Sequence, residues 1–261
     1  MADEETPDEE TPDEVEIHRM PLLEHLKELR DRMVWSAGAL ALGMLVSLAF
    51  TDEIIAFITA PAVVALEDSG AEGGLSIVNS PFEGIYVYLR AAFLGALVIS
   101  SPVISWQIWG FIAPGLYKTE RRLVLPLTVA STGLFLGGAG FAYYVIFPYA
   151  FPFFFTIIEA DVSLSVEGYL GAVIRMMIAF GVCFQLPVVV FFLARLGLVD
   201  ARDLIKGFRY AVVAIFVVAA MITPPEVLTQ MLLAAPLVGL YGVGIVVAWL
   251  FTTKTRDEEE A

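Results

Sequence analysis

Residues 91–112 read AAFLGALVISSPVISWQIWGFI, 22 positions without one ionisable side chain. At ~1.5 Å per residue a helix of that length reaches about 33 Å, enough to cross a hydrocarbon core ~30 Å thick. Comparable apolar stretches occupy residues 33–50, 123–155 (spanning only to about Pro148), 176–194, 210–222 and 231–251. The whole chain is 58% hydrophobic and 17% charged, with mean hydropathy +0.78, whereas soluble domains are ~45–50% apolar and about a quarter charged. The reading is an all-α integral membrane protein with six transmembrane helices and helical caps on its outer face.

The formal net charge of −14 belongs to the tails. Residues 1–16 carry nine acids, including a tandem DEETP, and residues 257–260 add four. Between them 16 acids face 15 bases, so the acidity says little about what the body binds. We divide the chain into an acidic disordered tail (1–18), a membrane domain (19–252) and a charged tail (253–261), because a proline-interrupted acidic repeat has nothing apolar to bury. The first apolar run starts only near Met33, behind an acidic segment, which argues against a cleaved signal peptide. One cysteine, Cys183, and two histidines, His18 and His25, exclude a disulfide scaffold and a standard zinc site. The chain has no GxxxxGK[ST] loop and no GxSxG elbow, removing the usual starting points for an ATPase or a hydrolase. No metal and no cofactor is expected.

Thirteen of the 15 bases fall in the N-terminal segment, the second-to-third and fourth-to-fifth connections and the C-tail, leaving only Arg90 and Arg175 on the other side. By the positive-inside rule both termini are cytoplasmic. Trp35, Trp106, Trp109 and Trp249 all fall toward the same ends of their helices, where indoles favour the interface. The outer connections, residues 51–90 and 156–175, are long and retain apolar residues such as Ile54 and Phe57, as expected of capping helices rather than free loops. Residues 22–33 place Leu22, Leu26, Leu29 and Met33 at helical spacing among charges, the pattern of an amphipathic helix leading into the membrane. Gly133, Gly137, Gly138 and Gly140 permit close helix approach in the third crossing.

No Asp, Glu, Lys, Arg or His lies within the six apolar runs, which counts against an ion-coupled transporter. The strongest polar group at depth is Gln185, in FGVCFQLPV (180–188). Pro187 frees the carbonyl of residue 183, and an amide can bridge to freed backbone, to another helix of the bundle, or to a partner's transmembrane helix. The fifth run has only 13 residues before Thr223, Pro224 and Pro225, about 20 Å. Such a short crossing tilts little, borrows flanking residues or thins the bilayer locally, and Val218 and Met221 near its outer corner are candidate contacts for a partner helix. On the opposite side Glu28 and Arg30 can meet Lys118, Glu120, Arg121 and Arg122, next to Gln107, Trp109, Phe111, Pro114 and Tyr117. Such charges either fix topology alone or, as two carboxylates beside an aromatic surface, form a site for arginine, whose planar fork matches carboxylates.

HLKELRDR (25–32) resembles the HLxELRxR signature at the start of TatC, the multispanning subunit of the twin-arginine protein translocase. QIWGFIAPGLYKTERR (107–122) is similar to the family's most specific block, and FGVCFQLPV, TPPE (223–226) and LLAAPLVGLYG (232–242) follow in the family's order. The resemblance covers about residues 22–249. It implies a receptor and assembly platform, not an enzyme, that recognises folded cargo through a signal peptide with two adjacent arginines. It assigns Glu28 and Glu120 to the arginine motif, places Arg30 and Phe111 in the same cytoplasmic patch, and gives Pro61 a role in shaping the outer cap. It further implies single-span partners of the TatA/TatB type within an oligomeric translocase of the cytoplasmic membrane, driven by the proton-motive force without nucleotide or nucleic acid. The chain departs from the family pattern at Gln185 (usually Glu), Glu226 (usually Asp), Gly242 (often Glu) and Ser165 (often Asp). These changes concern the partner interface, with Gln185 as its polar element, and leave signal-peptide recognition untouched. A small-molecule carrier and a purely structural scaffold are the other two readings that composition allows.

Overall fold

The computed structural model describes residues 22–69, 81–113, 121–149, 166–222 and 227–251, and every regular element among them is helical. In chain order these are α1 (Leu22–Leu48), α2 (Thr51–Ser69), α3 (Pro81–Ile112), a 3₁₀ turn at Arg121–Leu123, α4 (Val124–Phe141) prolonged by a π-helical turn at Ala142–Ile146, α5 (Val166–Cys183), α6 (Leu186–Arg195), α7 (Ala201–Ile222) and α8 (Val227–Phe251). Five stretches are long and apolar enough to cross a membrane: Phe82–Ile112, Val124–Tyr149, Val166–Arg195, Ala201–Met221 and Leu233–Phe251. The sixth is α1 together with α2, a pair bent by 82° at the corner between them. The expected all-α membrane architecture is thus the observed one. In hydrocarbon only a closed helical hydrogen-bond ladder leaves no backbone group unsatisfied.

The corner between α1 and α2 shows how the sequence turns the chain. Four carbonyls at a helix C-terminus lack intrahelical partners. The buried Thr51 hydroxyl bonds two of those on α1, donating to the carbonyls of Ser47 (3.0 Å) and Leu48 (3.2 Å). The next residue, Asp52, accepts from the Tyr88 hydroxyl of α3. Pro61 then lies inside α2. Lacking an N–H, it leaves the carbonyl of Phe57 without its helical donor, and the Tyr143 hydroxyl of the π turn donates to that oxygen at 2.6 Å. One residue on, the Tyr169 hydroxyl of α5 donates to the carbonyl of Ile58 at 2.9 Å. Two tyrosines therefore tie α2 to the π turn and to α5, one of them through the carbonyl that Pro61 leaves without a helical donor.

The main core contains Ile58 of α2, Phe147, and Leu170, Val173 and Phe180 of α5, with Leu233 and Leu237 of α8. A smaller cluster of Trp109, Leu127, Val188 and Phe192 closes the opposite end, which we call the near end because α1 starts there. The glycine stripe of α4 is used selectively: a Cβ at Gly138 would meet the Phe180 carbonyl oxygen at 2.6 Å, whereas Gly133, Gly137 and Gly140 have open space.

Three boundaries differ from the hydropathy reading. The fifth crossing borrows flanking residues, one of the three ways open to it: α7 has 22 residues, about 33 Å, because its charged first turns are helical too. Only its apolar portion is short. The helices α3 and α5 likewise begin well before the apolar runs, so Arg90 and Arg175 lie inside helices and not in connecting segments. Trp109 is 5% exposed; it packs edge-on against Phe192 at 5.1 Å and donates to the Ser131 hydroxyl at 2.8 Å. This indole is core, while Trp35, Trp106 and Trp249 are exposed as expected.

Candidate functional site

The amphipathic start of α1 puts Glu28 and Arg32 four residues apart on one helical face, where opposite charges meet. Nε and Nη2 of Arg32 both donate to Oε1 of Glu28, at 2.9 and 2.7 Å, with the two side chains only 25% and 22% exposed. Nη1 of the same guanidinium donates to Oε1 of Gln107 on α3 at 3.3 Å. The fit depends on Gly110, since a Cβ there would sit 2.2 Å from Nη1. All of Arg32's bonding to the carboxylate falls on one oxygen. The other, Oε2, is buried and has no hydrogen-bond partner among the described residues. A carboxylate accepts through both oxygens, and leaving a buried acceptor unsatisfied costs ~1–3 kcal/mol, more when it is charged.

Glu24, Lys27, Glu28, Asp31, Arg32, Trp35 and Gln107 line a cleft of about 450 Å³ at the near end. Three carboxylates and two cations line it, and a third cation, Arg30, pairs with Asp31 from outside. Phe111 stands beside it, half-buried and stacked on His25 with ring centroids 4.4 Å apart and planes at 18°, which fixes the start of α1 to the end of α3. Arg30 stays outside the cleft: it is 69% exposed and grips Asp31 through Nε (3.0 Å) and Nη2 (2.7 Å). Glu120, with Pro114 and Tyr117, lies outside the described residues.

The polar group at depth is held within the bundle. The chain breaks helix at Phe184 and Gln185, between α5 and α6, with Pro187 buried in the first turn of α6. Nε2 of Gln185 donates to the carbonyl of Ser131 on α4 (3.0 Å) and to that of Gly181 (3.3 Å). Ser131 is a junction, taking Gln185 on its carbonyl and Trp109 on its hydroxyl, so one small residue joins α3, α4 and the α5–α6 break. Val218 and Met221 are 40% and 81% exposed on α7, whose apolar window is 11% buried, against 28–39% in the other four long spans. Arg32 and Ser131 were missed by residue-type reasoning. The four-residue spacing of Glu28 and Arg32 was the available signal for the first; nothing in the sequence singles out Ser131.

A bundle of apolar helices with a charged cleft at the end where α1 starts is a multi-pass membrane protein. Residues 24–236 match the family model described as "Sec-independent protein translocase protein (TatC)". Proteins of that name from Helicobacter pylori (strain J99) and Escherichia coli (strain K12) are 41% and 38% identical over 241 and 242 residues, covering 91% and 92% of this chain and 92% of each relative. A solved structure titled as the twin arginine translocase receptor TatC superposes with TM-score 0.79 at 35% identity, over 88% of this chain and all of that one. The chain belongs to the TatC family. It is a component of the Sec-independent protein translocase, a membrane complex, and not an enzyme.

Proposed function

We propose that this chain is the receptor subunit of the translocase, and that Glu28 accepts an arginine of a twin-arginine signal peptide. The observation that carries this is the division of labour on one carboxylate: Arg32 saturates Oε1 and orients the group, while Oε2 is buried and has no hydrogen-bond partner among the described residues, at the wall of a cleft lined by Glu24, Glu28 and Asp31. A guanidinium that enters the cleft and moves aside the side chains covering Oε2 meets an acceptor already oriented by Arg32. Glu120 supplies the second carboxylate of the pair, and Phe111, braced on His25, shapes the approach; Arg30 keeps Asp31 neutralised at the rim.

The near end faces the cytoplasm in this reading, with both termini there, because 13 of 15 bases fall on that side. The membrane domain spans residues 19–252 between the acidic tails. Single-span TatA/TatB-type partners lie along α7 at Val218 and Met221, with Gln185 and Pro187 shaping the bundle behind the partner contact, and the proton-motive force drives transport. The lipid-facing breadth of α7 supports this placement. A photo-reactive side chain at Lys27, which lines the cleft, tests the receptor assignment: it is expected to capture a twin-arginine peptide and far less of the twin-lysine version. Equal capture of both, or of neither, rejects it. Impermeant thiol reagents should reach a cysteine placed at Glu72 from outside and one at Thr119 only after permeabilisation; the reverse would invert the orientation.

A further inference from the structure

At the far end of the bundle the structure holds a second polar cleft, and we propose that it binds the phosphate of a membrane lipid. The cleft, about 310 Å³, lies between α3 and α5 and is lined by Arg90, Phe93, Glu167, Ile174, Arg175 and Ile178 among others. Arg90 crosses from α3 to α5, its Nη1 3.2 Å from Oε1 of Glu167. It can do so because residue 171 is glycine: a Cβ there would lie 2.9 Å from Nη1. Arg175 is anchored differently, by Nε donating to the Gly171 carbonyl at 3.0 Å. That bond fixes the guanidinium plane and leaves its terminal N–H groups without an acceptor among the described residues. Among the described residues one carboxylate lines the cleft against two guanidiniums, an excess of positive charge.

Depth identifies the ligand as a lipid. From Arg175 to Arg195, the end of the same span, the chain rises about 30 Å, one hydrocarbon thickness. From Arg90 to Ile112, the end of α3, the rise is about 33 Å. With the near ends of both spans at one boundary, both arginines reach the other boundary, at the level of lipid phosphates, where an arginine is far cheaper to place than at midplane. Phe93 and Ile178 stand one helical turn deeper than Arg90 and Arg175, where the first acyl methylenes of a lipid would lie. The guanidinium fork matches two phosphate oxygens, so the preferred occupant is an anionic phospholipid with no cation of its own in the headgroup.

The test is native mass spectrometry of the purified full chain in neutral detergent with dioleoyl phosphatidylglycerol, dioleoyl phosphatidylcholine or inorganic phosphate. Wild type is expected to retain phosphatidylglycerol in preference to phosphatidylcholine, and excess inorganic phosphate is expected not to displace it. Arg175→Gln, which leaves the Arg90–Glu167 pair intact and so keeps the fold, should weaken retention by about tenfold, the loss of one charge-assisted contact. Arg175→Lys should recover part of it, and Glu167→Gln should strengthen it. Equal retention of both lipids, unchanged retention by Arg175→Gln at an unchanged melting temperature, or displacement by inorganic phosphate, which would make this a free-ion site, each overturns the proposal.

Discussion

Replacing Glu28 with glutamine keeps the side chain's shape and removes its charge. In the structure Nε and Nη2 of Arg32 converge on one oxygen of Glu28, and in the variant those two donors claim the only oxygen the amide has. The amide's NH₂ then occupies the place of Oε2, presenting a donor to an incoming guanidinium that also only donates. The ligand thus loses its whole charge-assisted contact, ~1.5–3 kcal/mol, equivalent to a roughly ten- to hundredfold weaker affinity. The fold should survive, because Arg32 keeps its bond to Gln107 and the His25–Phe111 stack is untouched. The assay is fluorescence anisotropy of a labelled signal peptide with purified protein in detergent, using twin-arginine and twin-lysine versions at low and high salt. Wild type should prefer arginine, because an ammonium lacks the fork, and Glu28→Gln should lose most of that preference. If Glu28→Gln binds the arginine peptide within about twofold of wild type and still discriminates against lysine, Oε2 is not the acceptor, and the cleft serves only to orient α1.

The cap makes an equally specific prediction: Tyr143→Phe strands the Phe57 carbonyl and should lower stability by ~1–3 kcal/mol, measured by denaturation in mild detergent. In a Pro61→Ala background, where residue 61 regains an N–H for that carbonyl, the same change should cost clearly less; an equal cost would remove the link between Pro61 and Tyr143. Gln185→Leu removes the donors that the carbonyls of Ser131 and Gly181 receive and should lower stability by ~1–3 kcal/mol in mild detergent; an unchanged melting temperature would show that the amide's donors are dispensable. On α7, photo-crosslinkers at Val218 and Met221 should capture a single-span partner in native membranes, and capture of lipid alone, with and without cargo, would place the partner elsewhere.

What could be read from the sequence, and what could not, separates along a physical line. Hydropathy located the crossings because a hydrocarbon slab forbids ionised side chains wherever it is thickest, and the free stretch at 91–112 is the direct imprint of that rule. The same rule misplaced the helix ends. A helix continues past the hydrocarbon boundary as long as its backbone ladder can close, so α3 carries Arg90, α5 carries Glu167 and Arg175, and α7 carries Arg202, Lys206 and Arg209 in its first turns. Composition likewise marked Glu28 as a candidate acceptor, yet the side chain that orients it, Arg32, resembles any other juxtamembrane base until the four-residue helical repeat is applied. Contacts set by tertiary approach left no imprint at all. Four glycines of α4 look alike in sequence, and only Gly138 meets another helix; Ser131 looks unremarkable and joins three. The polar chemistry of this protein therefore concentrates where hydropathy ceases to discriminate, in the turn or two on either side of the slab, and there the helical period is the better guide. Applied to Glu28 and Arg32 it finds the near cleft, and applied to Glu167, Gly171 and Arg175, each four residues from the next, it finds the far one.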